Sequence, residues 1–261
     1  MRIRDLWANK LYCNETGMLS FFLLGTTPSE STQKRIEIES RLFRDIIQLD
    51  FADGYRTLPY KTLSLLHWIK TFCPTVSWVL KSDDDVFVNP FSLNHFLLKI
   101  PADDGIDFAC FYNENAAVCR EGEDCNPKFA VPRSLYSDDY YPPYCEGPAY
   151  IINITMALQL YSRANITLLH QFPFEDVYFT GILAQALEPV YYHLDSQLFP
   201  SYMSLARKRS RLYSSLFLHL HNSKKASYAM WKNLLHHFKQ PLLRKTSSSS
   251  AALFESLVNE D

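Results

Sequence analysis

Three consecutive aspartates, Asp83, Asp84 and Asp85, stand between two apolar stretches in the run Trp78-Val79-Leu80-Lys81-Ser82-Asp83-Asp84-Asp85-Val86-Phe87-Val88-Asn89-Pro90. Like charges packed this closely repel one another, so the run calls for a positive partner, most economically a divalent cation. In an extended segment, residues two apart face the same way, which lets Asp83 and Asp85 share one ion while Asp84 points elsewhere. Oxygen ligands of this kind suit Mn2+ or Mg2+, ions that commonly bridge carboxylates to phosphate oxygens. An acidic surface turn is the competing reading; a calcium loop is a weaker one, because the spaced acidic pattern and terminal Glu of an EF-hand are missing. Lys81 either neutralises the run or reaches a phosphate.

Two other places carry chemistry-bearing side chains. Glu175-Asp176 follows Pro173-Phe174 and precedes an apolar helix. A carboxylate there serves either as an N-cap at the positive end of the helix dipole or as a general base. His219 and His221 lie two apart in Leu216-Phe217-Leu218-His219-Leu220-His221. On a strand both imidazoles face one side, where either is a structural histidine or completes a metal site.

The elements around these groups follow a strand–helix cadence. Met18 to Leu24 reads as a buried strand stopped by Gly25, and Thr26-Thr27-Pro28-Ser29-Glu30 as a helix start with proline in its first turn, the helix running to about Phe43. Asp45 to Asp50 is a second strand and Asp53-Gly54 a turn. The stretch after Pro59 then places Leu65, Leu66, Ile69, Phe72 and Cys73 on one helical face. The third strand, Val76 to Leu80, puts the acidic run at its carboxyl end, where ligand sites of open α/β sheets form.

From about Ala102 to Tyr144 the pattern loosens into long loops over the sheet. Tyr150-Ile151-Ile152 leads into a helix from about Thr155 to Ser162, and a further helix opens near Val177. Lys245 through Ala252, with four serines in a row, reads as a flexible tail. We therefore expect one catalytic domain over 1–240 and a tail over 241–261.

The 261 residues, 47% of them hydrophobic, suffice for one large mixed core. A net charge of −2 offers no basic field for nucleic acid. No stretch reaches the roughly 18 to 20 apolar residues that span a bilayer, and Met1-Arg2-Ile3-Arg4-Asp5 has no signal-peptide core. The six cysteines form no Cys-x-x-Cys pair, which disfavours structural zinc and is compatible with disulfides. Sequons at Asn14, Asn153 and Asn165 lean toward a secretory compartment, although Asn153 ends an apolar run and is expected to be a poor acceptor.

Five blocks, in order, resemble the β-1,3-galactosyltransferase and β-1,3-N-acetylglucosaminyltransferase family. They are Ile3-Arg4-Asp5-Leu6-Trp7; Asp45 to Tyr55 with Leu58 and Lys61-Thr62; Lys81 to Asn89; Tyr141-Pro142-Pro143-Tyr144-Cys145; and Glu175-Asp176-Val177 with Gly181. The similarity runs from Ile3 to about Trp231. It implies a GT-A-type, nucleotide-sugar-binding α/β fold with a mostly parallel central sheet flanked by helices. It also implies inverting transfer of galactose or N-acetylglucosamine from a UDP-sugar to a glycoprotein or glycolipid acceptor in the Golgi lumen.

By the same resemblance, Asp176 is the catalytic base, and Asp83, Asp85 and His221 hold Mn2+, with Mg2+ as an alternative. His221 is preferred to His219 because Asn222-Ser223-Lys224 resembles the sequence that follows the family's histidine. Gly25, Asp53, Lys61, Lys81 and Asp84 fall on the donor side, Glu146 and Glu175 on the acceptor side.

The chain departs from the family pattern at Leu6 (Thr expected), Ala8 (Gly expected) and Glu146-Gly147-Pro148, where a Ser-Gly-Gly-like turn is usual. The last departure puts a bulky charge beside the substrate cleft. Members carry a cytoplasmic tail, a membrane anchor and a stem, whereas this sequence begins within the first motif and reads as a fragment, an incomplete gene reading or an unanchored member. A catalytically inactive lectin-like or scaffold remnant of the same fold is the alternative function, and a metal-free, two-carboxylate glycosidase a third.

Overall fold

Side chains along the strand Tyr144–Asn153 alternate between two hydrophobic cores, with Ala149 and Ile151 entering one and Tyr150 and Ile152 the other. That alternation is what a strand covered on both faces requires. The computed structural model describes residues 3–100, 105–164, 172–199, 212–219 and 224–239. The expected tail over 241–261 and the sequon at Asn165 lie outside the described residues, as does His221.

In chain order the helices are α1 (Lys10–Thr16), α2 (Glu30–Phe43), α3 (Leu58–Phe72), α4 (Pro90–Lys99), α5 (Ile154–Arg163) and α6 (Lys224–Lys239). The strands are β1 (Phe22–Thr26), β2 (Ile46–Ala52), β3 (Trp78–Ser82), β4 (Val86–Val88), β5 (Phe108–Asn113), β6 (Tyr144–Asn153), β7 (Tyr191–His193) and β8 (Phe217–His219). β1 and β2 pair in parallel across α2, a four-stranded sheet runs β3-β6-β5-β7, and β4 pairs with β8. One core gathers Leu6, Phe87, Leu93, Phe217 and Trp231 on one side of the sheet. The other gathers Ile69, Phe108, Met156, Leu160 and Tyr178 on the opposite side.

The α/β class is as expected, but the four-stranded sheet is not mostly parallel. β6 runs antiparallel to both β3 and β5, and only β5–β7 is parallel within it. A parallel neighbour needs a long crossover, usually a helix, whereas the 114–143 connection between β5 and β6 contains no α-helix, just a 3-10 turn at Pro127–Phe129 and an isolated antiparallel bridge between Ala117 and Tyr140. β5 itself, central in this sheet, falls inside the segment expected to be loop. Its apolar run is short, buried on both faces and bounded by polar residues, so it carries no alternation to read.

Smaller differences have local causes. β1 begins at Phe22 rather than Met18, and Pro28 precedes the cap of α2, whose Ser29 side chain accepts from the Thr32 N–H. β3 is shifted two residues on from Val76–Leu80, so it ends directly against Asp83. Phe72 is 66% exposed at the end of α3, while Pro59, Thr62, Leu66 and Ile69 form its buried face.

The first family block proves to be an anchor. Arg4 donates to Asp45 through Nε and Nη2 at 2.7 and 2.8 Å, ion-pairs with Glu39, and lies over the rings of Phe22 and Phe43. Leu6, standing where a threonine was expected, is fully buried in the first core. Asn153 caps α5 and spends its side chain on Met156 N–H, the Ile106 carbonyl and Asp107, which fits the poor-acceptor reading.

Two disulfides, Cys110–Cys145 and Cys119–Cys125, tie β5 to β6 and close a short loop, while Cys13 and Cys73 are free. Buried Arg120 organises the rest of the 114–143 connection by donating to the carbonyls of Val131, Tyr136 and Asp138. No helix among the described residues is long and apolar enough to cross a membrane.

Candidate active site

The acidic run is a tight turn rather than an extended segment. Asp83 N–H donates to the Pro148 carbonyl at 2.9 Å, and Val86 N–H returns to the Asp83 carbonyl at 3.2 Å, which reverses the chain between β3 and β4. In this turn Asp84 is exposed, and Asp83 and Asp85 are half-buried. His219 ends β8 opposite Val86, next to Asp85 in register.

Lys81 links this turn to the second acidic pair. Its Nζ donates to Asp83 Oδ1 at 2.6 Å and to the Gly147 carbonyl, and lies 3.6 Å from Glu175 Oε2. Burial alone would lower the Lys81 pKa, but Glu175 and Asp83 more than offset it, so the ammonium is held charged. The Asp83 carboxyl is pushed up by desolvation, with Lys81 pulling the other way.

Gly147 carries the contact onward. Its N–H donates to Asp176 Oδ2 at 3.0 Å, and a Cβ at this position would lie 2.9 Å from that same oxygen. Glu146-Gly147-Pro148 therefore keeps a glycine at the one place where the backbone must approach Asp176 closely. The charge of Glu146 turns toward β5, accepting from Asn113 Nδ2 at 3.1 Å.

Asp176 stands at the N-terminus of the π-helical segment Val177–Leu183 and accepts from Val177 N–H at 2.9 Å, so the capping geometry is present. Capping does not exhaust it. Burial, followed by the negative charge of Glu175, raises its carboxyl to about 6 against the opposing pull of Val177 N–H, Lys81 and Gly147 N–H. A half-buried carboxylate titrating there is matched to proton abstraction near neutral pH.

Glu175, expected on the acceptor side, is buried. It is 4% exposed, and its Oε1 accepts from the Thr62 hydroxyl at 2.7 Å and from the Tyr150 hydroxyl. Preceding the cap, it points under the sheet while Asp176 points toward Gly147.

Gly25, Asp53 and Lys61, expected on the donor side, come together as a group of their own. Asp53 accepts from Gly25 N–H at 2.9 Å and pairs with Lys61 Nζ at 2.8 Å. Burial opposes ionisation of Asp53, but Lys61 and the Gly25 N–H overcome it and hold its carboxyl below the usual range. A Cβ on Gly25 would fall 2.6 Å from the Phe51 carbonyl, so only glycine lets β1 approach the end of β2 here.

Tyr55, two residues past Asp53, went unnoticed in the sequence as a site residue. Burial and the charges of Asp176 and Asp83 raise its phenol, which puts it in electrostatic reach of both acidic regions. Lys128, from the 114–143 connection, lies 3.7 Å over the Tyr55 ring. Tyr55 sits inside the second family block, and that was the signal available. Thr62 lies in the same block, whereas Tyr150 gave no signal because it reads as part of an apolar run.

The donor set at the acidic turn is all oxygen and partly exposed, which fits a hard divalent cation. Among the described residues no three His, Cys, Asp or Glu side chains gather to hold a metal by themselves. Asp83 and Asp85 would thus share the ion with ligands from outside that group. A groove of about 390 Å3 between Pro142, Pro143, Gln185 and Tyr191 lies at the opposite end of the π-helical segment from Asp176.

Residues 1–195 match the family model described as Galactosyltransferase. The chain belongs to the galactosyltransferase family. Mouse beta-1,3-galactosyltransferase 1 is 36% identical over 177 residues, which cover 67% of this chain and 52% of that protein. The beta-1,3-galactosyltransferase 5 of Pan paniscus is 36% identical over 162 residues, covering 62% and 52%. The chain spans about half the length of the curated relatives it matches. A solved glycosyltransferase involved in the glycosylation of the major capsid of PBCV-1 aligns over 81% of this chain and 97% of that one, at 15% identity and a TM-score of 0.38. The galactosyltransferase match takes in the acidic turn, Lys81, Gly147 and Asp176, and stops before β8.

Proposed function

We propose that this chain is a GT-A-type inverting glycosyltransferase that moves galactose or N-acetylglucosamine from a UDP-sugar to a glycan hydroxyl in β-1,3 linkage. The observation that carries the reading is Asp176: a half-buried carboxylate raised to about 6, oriented by two backbone N–H groups and joined through Gly147 and Lys81 to the acidic turn.

In the proposed step Asp176 takes the proton of the acceptor hydroxyl. The freed oxygen forms a bond to the anomeric carbon as the bond from that carbon to the diphosphate oxygen breaks, which inverts the centre. Asp83 and Asp85, with His221 as the third ligand, would hold Mn2+ or Mg2+, which supplies electrostatic stabilisation of the departing diphosphate when bound. Lys81 keeps the two acidic regions in fixed relation. Gly25, Asp53, Lys61 and Asp84 serve the donor side, Tyr55 the space between donor and base, and Glu146 the acceptor side. Two disulfides are in keeping with an oxidising compartment and support a Golgi-lumenal site of action on glycoprotein or glycolipid.

The test is UDP release by the purified chain with Mn2+, from UDP-galactose and from UDP-N-acetylglucosamine, across a panel of glycan acceptors. Acceptor-dependent release from one donor, abolished by EDTA, is the expected result. No release from either donor, together with no metal-dependent UDP binding, would overturn the reading in favour of a lectin-like fold.

A further inference from the structure

We propose that Glu175 is a positioning residue for Asp176: its buried carboxylate, tied to three separate elements, fixes the helix start that carries the base and sets the charge beside it. The inference rests on the transferase reading above and assigns a role that the reading leaves open.

Geometry carries it. Oε1 of Glu175 accepts from Thr62 on α3 and from Tyr150 on β6, and Oε2 faces Lys81 on β3 at 3.6 Å. Lys81 in turn donates to the Gly147 carbonyl, and Gly147 N–H donates to Asp176 Oδ2. Glu175 and Asp176, adjacent in sequence, are thus also joined through space by a closed circuit of side chain and backbone.

The Thr180 hydroxyl locks the following turn, donating to the Asp176 carbonyl at 2.6 Å and accepting from Cys145 N–H at 2.9 Å. Glu175 is 4% exposed, so its carboxylate meets protein rather than bulk water. A buried ion pair generally adds little stability over well-packed apolar side chains. What this one supplies is placement and charge.

The groups that face Asp176 are Glu175, Lys81 on β3, Tyr150 and Tyr144 on β6, Tyr141 just before β6, and Tyr55. The negative charge of Glu175 raises the Asp176 carboxyl, which strengthens Asp176 as a base by disfavouring loss of the proton it has accepted. Removing that charge while keeping the shape therefore weakens the base and moves its titration downward.

The experiment is a carbon-13 NMR titration of the Asp176 carboxyl in the wild type and in Glu175→Gln, with Tm and steady-state kinetics on the same samples. The Asp176 midpoint is expected near 6 in the wild type and lower by about a unit in Glu175→Gln. At the same time kcat should fall at least about tenfold while the donor KM stays put. Tyr150→Phe, which keeps the charge but removes one tie, is expected to move the Gly147 amide resonance and lower kcat severalfold without moving the midpoint.

A merely structural role predicts a lower Tm with an unmoved midpoint and unchanged kcat per folded molecule, and that result would overturn the proposal. Should Glu175→Gln fail to fold, Tyr150→Phe decides: an unmoved Gly147 resonance rejects the proposal. A wild type without transferase activity would sink the proposed function, while the titration and the resonance still judge this inference.

Discussion

Asp84 is exposed at the tip of the β3–β4 turn, whereas Glu175 is 4% exposed beneath the same sheet, tied to Thr62 and Tyr150. The two acidic regions use the same functional group for opposite ends. In the turn, Asp84 stays in water while Asp83 and Asp85 are half-buried, and Lys81 offsets part of the desolvation that pushes the Asp83 carboxyl up. At Glu175-Asp176 the protein withdraws water, so the charge of one carboxylate raises the pKa of the next. Lys81 touches both regions, through Asp83 on one side and Glu175 on the other.

That contrast breaks most visibly at Lys81. Lys81→Met leaves Glu175 buried without its cation, and denaturant unfolding should register a loss of about 3–5 kcal/mol. A loss below about 1 kcal/mol would mean the two regions are not joined as described. Gly147→Ala acts first on the base side: the new methyl meets the Asp176 carboxylate, which swings aside. Stability should fall by only about 1 kcal/mol, while kcat drops about tenfold. Asp84→Asn acts on the exposed side alone, and its Tm should match the wild type, with stability unchanged within about 0.5 kcal/mol and any effect confined to the donor KM.

Much of this was legible in the residues. The acidic run at the end of a strand and the Glu175-Asp176 helix start follow from spacing and local chemistry. Contacts between residues distant in sequence were not legible. Nothing in Thr62 or Tyr150 announces a hydroxyl aimed at Glu175, because those contacts span 113 and 25 residues and depend on how α3 and β6 pack. Glu146, whose bulk seemed to threaten the cleft, turns to Asn113 because a β6 side chain next to Gly147 has a partner on β5. The antiparallel sheet escaped for a related reason: a strand–helix cadence implies crossovers, and β5 returns to β6 without one. The residue that follows β8 by two, His221, was singled out by resemblance, and its part in the site remains a proposal.

The most direct test of the central claim is the transfer rate of wild type and Asp176→Asn across acid to mildly alkaline pH, with UDP binding measured on both. The wild-type rate should fall below about pH 6 as Asp176 takes up its proton. Asp176→Asn should lose about 10²–10⁴ in kcat throughout, with UDP affinity and metal dependence intact. Transfer by Asp176→Asn within about tenfold of wild type, with the same acid limb, would contradict the assignment of Asp176 as the base.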